Sequence, residues 1–470
     1  MDTALGKELS TPRGTSATRQ GMRTFSIVWI GQAISLLGSS MSGFALGVWV
    51  FLETGSAVGF ALTLLLNMLP KALLAPVAGV WADRQDRRRI LILTDLGAAL
   101  ATTAAVILFL VGRLTVWHIY ALTAWNAAAS ALQAPAFGAA VTQLVPKEGY
   151  GQANGMMQIG EAAAQIGAPA LAGAMLATLG LVSVLLVDLG TFLVAVLVLV
   201  GRRFPSGWAA GEAGVLERPR WLSQLAEAIG YMRARPGLLG LIAVFALANL
   251  FVGVAEALLT PMVLQFAAPE ALGLIMTVGG LGMLIGSLLF TATGGGRRKI
   301  YAVFSAYAVL SVGVVLAGLR PCVQLVGAAV FLAFLAVPTV MGASQTILQA
   351  KVAPEIQGRV FGLRMAVNTL SFAVAYTLSG LLADRVFEPF MASSARLASL
   401  VGQVIGFGPG RGMGLLFIVT GSLAIFTALG ALASPRIRRV EIELADAVPE
   451  SQDPRRAVVG AGSGAAAASR

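Results

Sequence analysis

Glu161, Glu256 and Lys71 each stand inside a long apolar run, where a charge costs several kcal/mol unless it is paired or used. A carboxylate in such surroundings can take a proton from one side of a barrier and release it on the other, or pair with a cation. Glu161 falls about ten residues into its run and Glu256 about nine from the end of its own, depths of about 15 Å. Lys71 follows Pro70; its ammonium must find an acidic partner, snorkel or meet an anionic ligand, and a carboxylate partner is expected. Asp95 and Asp188 read as structural, the first in reach of Arg87–Arg89 and the second nearer the outer surface, while Arg364 reads as an interface contact. The neutral Asn67, Asn126, Gln133, Gln158, Gln165, Asn249 and Asn368 can serve a cavity or tie helices together, at about 0.6 kcal/mol per bond.

Other chemistries lack their parts. One cysteine, Cys322, allows no internal disulfide, and one histidine, His118, allows no histidine-rich metal site. No nucleophile–base set and no Walker A pattern is present, so neither an enzyme nor a bound cofactor or metal is expected.

These residues must be positioned by helices in lipid. The chain has 470 residues, 57% of them hydrophobic and only 12% charged, with a mean hydropathy of +0.82. A bilayer core of about 30 Å takes about 20 apolar residues per crossing. Such runs fall at 25–52, 56–81, 90–112, 117–144, 152–179 and 181–201, then at 238–265, 270–293, 300–318, 321–349, 358–384 and 412–434. The pattern predicts an all-α membrane protein of twelve transmembrane helices in two six-helix pseudo-repeats. The net charge of +11 is not spread as on a nucleic-acid surface: roughly 26 of the Lys and Arg fall in alternate loops and the tails, which places both termini in the cytoplasm. Five segments result: a cytoplasmic tail 1–24, a bundle 25–201, a linker 202–236, a bundle 237–434 and a disordered tail 435–470. In the linker, Trp221, Leu222, Leu225, Ile229 and Met232 recur at helical spacing, so an amphipathic helix lying on the membrane is expected, with a solvated linker helix as the alternative.

The two halves echo each other. Val145-Pro146-Lys147-Glu148 with Gly151 and Gly155 is matched by Val352-Ala353-Pro354-Glu355 with Gly358 and Gly362, and Arg87-Arg88-Arg89-Ile90 by Arg297-Arg298-Lys299-Ile300. Both pairs fall in equivalent loops of a six-plus-six repeat.

The segment from Gly79 through Asp83, Arg84, Asp86, Arg87 and Arg88 to Arg89, between the second and third runs, resembles the signature loop of the major facilitator superfamily. Leu69-Pro70 with Pro76, Gln133-Ala134-Pro135-Ala136, and Gly230-Tyr231-Met232-Arg233 resemble its drug:proton antiporters, among them macrolide and enterobactin exporters. Gly167-Ala168-Pro169 with Gly173 is a partial form of an antiporter motif. The resemblance implies two six-helix halves that expose a midplane site alternately to each side, with Gly79, Asp83, Arg84, Arg87 and Arg88 gating the cytoplasmic side against the start of the eleventh span at Arg359. The fourth run lacks the arginine many proton-coupled members carry, and Thr293 stands where the repeated loop would place an aspartate.

The resulting expectation is a multi-pass protein of the inner membrane, monomeric, contacting lipid, and exporting a small amphipathic molecule (drug, macrolide-like compound or siderophore) in exchange for protons. Uptake, a lysophospholipid-type flippase or a non-transporting receptor on the same fold are the alternatives.

Overall fold

The computed structural model describes residues 13–145, 150–201, 221–294, 296 and 298–444, and these are helical apart from short connections. Helices α1 (Arg13–Thr54), α2 (Ala57–Arg84), α3 (Arg87–Leu110), α4 (Val116–Leu144) and α5 (Tyr150–Gly201) precede α6 (Trp221–Arg233). They are followed by α7 (Pro236–Leu264), α8 (Pro269–Thr293), α9 (Lys299–Leu319), α10 (Val323–Lys351) and α11 (Pro354–Leu382). A wide-turn segment, Ala383–Phe387, then leads to α12 (Glu388–Ala392), α13 (Arg396–Ile405), α14 (Arg411–Ala433), α15 (Pro435–Arg438) and α16 (Val440–Glu443). Ten helical stretches among the described residues are long and apolar enough to cross a membrane.

Local chemistry sets the ends of these helices. Asp86 caps α3 by accepting the Arg88 amide at 2.9 Å. His118 closes the first turn of α4, where its Nδ1 accepts the Thr115 amide, so the single histidine serves as a cap. Proline opens α7, α8 and α11, where its missing N–H costs nothing. Gly180 interrupts α5 with φ 78° and ψ 178°, a conformation only glycine takes easily, and it falls at the join between the fifth and sixth runs.

The chain divides into two compact units, one of Met1–Glu53 with Leu66–Gly214 and the other of Thr54–Leu65 with Val215–Arg470. In the first, Val28, Ile90, Leu91, Ala136 and Leu199 form one buried cluster, and Phe25, Val141, Leu144 and Ala153 another. In the second, α8 lies so close to α10 that a Cβ on Gly282 would sit 2.5 Å from the Phe331 carbonyl oxygen, the close packing that small residues permit between helices in lipid.

Two expectations are corrected here. Met232, placed on a membrane-facing stripe, is fully buried with Leu238, Leu348, Val352 and Ile356, and the neighbouring Tyr231 hydroxyl accepts the Ala353 amide at 3.2 Å. The end of α6 therefore docks on the start of α11, where apolar side chains offer what lipid would have offered. The tail is folded for its first residues: Ile437 and Val440 join the second unit's core, and Glu441 caps α9 by accepting the Lys299 and Ile300 amides. The rest of that tail, the first twelve residues, the loop 146–149 and the linker up to 220 lie outside the described residues.

Candidate functional site

Charges inside the spans are solvated by neutral groups. The described ion pairs, Arg89–Asp86, Arg359–Glu227 and Arg439–Glu443, all lie at helix ends or in connections. Where, then, does each intramembrane charge find its partner?

In the first unit, Asp95 is almost fully buried and is held by Gln32 and Gln133, not by the arginine cluster expected for it. Gln32 Nε2 donates to one carboxylate oxygen at 2.9 Å, and Gln133 Nε2 donates to the other at 2.7 Å and to Gln32 Oε1 at 2.9 Å. Gln133 thus ties α1, α3 and α4 together. Arg88 instead donates to the Leu199 and Val200 carbonyl oxygens that end α5. Asp188 is equally buried, accepting from the hydroxyls of Ser39 on α1 and Thr102 on α3. Both aspartates are thus tied to neighbouring helices, and nothing in the local sequence announces Gln32, Ser39 or Thr102 as their partners.

The same unit carries polar groups that are not used up. Gln158, Glu161 and Gln165 are exposed at spacings of three and four, one stripe along α5. Glu161 makes no hydrogen bond or ion pair among the described residues. On α2, Lys71 Nζ donates to Asn67 Oδ1 at 2.9 Å, one turn back on the same helix. The carboxylate expected for Lys71 is not there; among the described residues no acidic group lies within ion-pair distance. Asn126 is half-buried, its Oδ1 enclosed without a partner. Helical backbone carries Gly79, Asp83 and Arg84 to the end of α2, while the side chains of Asp83 and Arg84 lie outside the described residues.

In the second unit a polar seam runs between α7 and α11. Asn249 Nδ2 donates to Asn368 Oδ1 at 2.7 Å, and two turns further along the same two helices stand the exposed Glu256 and the buried Tyr376. One turn before Asn368, Arg364 is held by Gln345 Oε1 at 2.8 Å and Ser344 Oγ at 2.9 Å, both on α10. Because α11 starts at Pro354, Arg364 is ten residues in, about 15 Å. Its guanidinium is anchored to α10 within the unit. Arg359 pairs with Glu227 on α6.

Depth and exposure together separate a cavity wall from a lipid face. An exposed carboxylate or ammonium many residues from either helix end cannot rest in hydrocarbon. Glu161, Glu256 and Asn67 are exposed at such positions, and Lys71 is half-exposed. By contrast, a groove between α8 and α10, lined by Leu274, Ile275, Val278 and Phe331, offers lipid tails an apolar surface.

Apolar helices with isolated polar groups at mid-depth define a multi-pass membrane transporter. The model of the Major Facilitator Superfamily matches residues 28–376, and the chain belongs to that superfamily. It is 27% identical to macrolide efflux protein A of Streptococcus pyogenes over 77% of this chain and 90% of that protein. It is 24% identical to the multidrug efflux pump Tap of Mycolicibacterium fortuitum, again over 77% and 90%. Among solved structures, a bacterial homologue of the human lysosomal transporter Spinster superposes with a TM-score of 0.64 at 15% identity, covering 90% of this chain and 97% of that one. A bacterial homologue of the iron transporter ferroportin gives 0.62 at 16%, covering 87% and 98%. These two likenesses bear on the fold alone.

Proposed function

We propose that the chain is a proton-coupled exporter of a small amphipathic compound, working by alternating access as a monomer in the cytoplasmic membrane. The observation that carries this reading is the Glu256 carboxylate, exposed well inside an apolar helix and in none of the described ion pairs. A carboxylate so placed changes charge when it binds a proton, and no salt bridge fixes it in one form. Glu161 is the second carboxylate of the same kind. The direction of transport is taken from the relatives named for efflux.

Twelve crossings fit this reading. The 47-residue apolar stretch Gly155–Gly201 would extend about 70 Å as one helix, more than twice the hydrocarbon core, and its break at Gly180 divides it into two spans. Adding α4 to the remaining apolar helices completes the count, with both termini inside. The loop from Gly79 to Arg88, with Arg359, then serves the cytoplasmic gate. The remaining polar candidates divide by whether they are free: Gln158, Gln165 and Asn67 face the solute, while Gln133, Asn249 and Asn368 hold helices.

The test is accumulation of erythromycin and of ethidium in an efflux-deficient bacterial host. Cells making the protein should hold less compound than control cells, a protonophore should erase the difference, and Glu256→Gln should do the same. Equal accumulation with and without the protein for a broad compound panel contradicts export.

A further inference from the structure

Lys71 is the one lysine inside a predicted span, and its position excludes the usual resting places for an ammonium. In the predicted span 56–81 it stands 15 residues after the start and ten before the end, about 22 Å and 15 Å of helix. Its methylene stem reaches about 6 Å, too short to bring the charge to either headgroup region. Its described partner is one amide oxygen, Asn67 Oδ1 at 2.9 Å, which leaves two ammonium N–H groups and the Asn67 Nδ2 donors for other use. Asn67 is exposed and Lys71 half-exposed, so these donors open onto space that protein does not fill.

Two other cations, one inside a span and one at the start of another, are treated differently. Arg364 is held by two side-chain oxygens and lies against the Phe245 ring at 5.7 Å, and Arg411 is almost fully buried, donating to the Ile405 carbonyl oxygen and facing the Phe266 ring at 6.0 Å. Lys71 alone among these presents a charge with free donors to an open face.

We infer that Lys71 and Asn67 form an anion-binding subsite, and that the transported compounds include amphiphiles bearing an anionic headgroup. The inference rests on the transport reading and adds a substrate class to it. The ammonium supplies the charge and the carboxamide a second donor one turn away; Pro70 removes one backbone donor beside them and adds none. A lipid headgroup and a soluble sulfonate or phosphate share this chemistry.

The experiment uses the full chain in proteoliposomes with four NBD-labelled amphiphiles: dodecyl sulfonate, lysophosphatidic acid, dodecyl trimethylammonium and dodecyl maltoside. Dithionite added outside reports how fast each reaches the outer face. The wild type should move at least one anionic probe about tenfold faster than the cationic and neutral ones. Lys71→Met should lose that advantage, Lys71→Arg should keep it within about threefold, and Asn67→Ala should fall between. Movement of the sulfonate alone assigns a soluble anion, and movement of lysophosphatidic acid alone a lipid. Because Lys71→Met keeps the length of the side chain and removes only a bond within α2, it should fold as well as the wild type, and a melting curve checks this. An anionic rate unchanged in Lys71→Met, or preference for the cationic or neutral probe, overturns the subsite and leaves the transporter standing. If no probe moves while erythromycin is still exported, the subsite alone falls; if neither moves, the transport reading falls with it.

Discussion

Asn249 Nδ2 on α7 donates to Asn368 Oδ1 on α11 at 2.7 Å, and two turns further along the same two helices stand Glu256 and Tyr376. The amide pair holds α7 against α11, while Glu256 stays exposed. Tyr376→Phe should slow export no more than about fivefold, as loss of a group worth about 1 kcal/mol allows, whereas Glu256→Gln should stop it. Initial rates of compound efflux from preloaded cells separate the two, and equal rates in both variants contradict the assignment.

Asp95 gives the opposite expectation. Asp95→Asn preserves the shape of the three-residue knot and removes a buried charge, so the melting temperature of the purified protein should change little. Asp95→Ala strands the Gln32 and Gln133 amides at about 1–3 kcal/mol for each group left unpaired, and should lower it by several degrees. Loss of transport in Asp95→Asn at unchanged stability would show that the knot takes part in function.

Asp384 closes the end of α11 onto the start of α2. Its carboxylate accepts the Ser56 hydroxyl at 2.7 Å and the Ala57 and Val58 amides at 3.2 and 3.1 Å, while a Cβ on Gly380 would meet Val58 at 2.6 Å. This is a helix N-cap supplied by a residue more than 300 positions away, and it explains why Thr54–Leu65 belongs to the second unit. Ala57, fully buried, reports on it. With Ala57→Cys, labelling by a membrane-impermeant maleimide should be slow, and adding Asp384→Ala should speed it about fivefold, as loss of a cap worth about 1 kcal/mol implies. An unchanged rate shows that the cap does not hold the segment.

The contact of α8 with α10 is equally specific. Gly282→Leu forces the Phe331 backbone away and should sharply lower the yield of folded protein, whereas Gly294→Ala, at an open position, should cost only the strain of its φ of 57°. Fluorescence size-exclusion profiles of the two variants give the comparison.

Most of the fold could be read from the chain because lipid imposes a simple rule, a long apolar run for each crossing, and Gly180 fell where two runs were divided. The sequence also revealed which charges lie at depth. It did not reveal their partners, since Gln32 and Asp95 are 63 residues apart and Asp95 and Gln133 are 38, and no local periodicity reports a bond between helices. Lys71 shows the same limit: a carboxylate partner was the cheapest expectation, and the helix supplies only Asn67. The amphipathic stripe of the linker was legible, but a stripe does not say whether lipid or α11 will cover it.

The central claim is that compound efflux is driven by protons through Glu256. Purified protein in proteoliposomes carrying an internal pH-sensitive dye, given a proton gradient and then erythromycin, tests it directly, with Glu256→Gln and Glu161→Gln beside the wild type. Compound-triggered proton flux in the wild type that is lost in Glu256→Gln is the predicted result; compound movement without proton flux, or a flux that Glu256→Gln leaves unchanged, contradicts it.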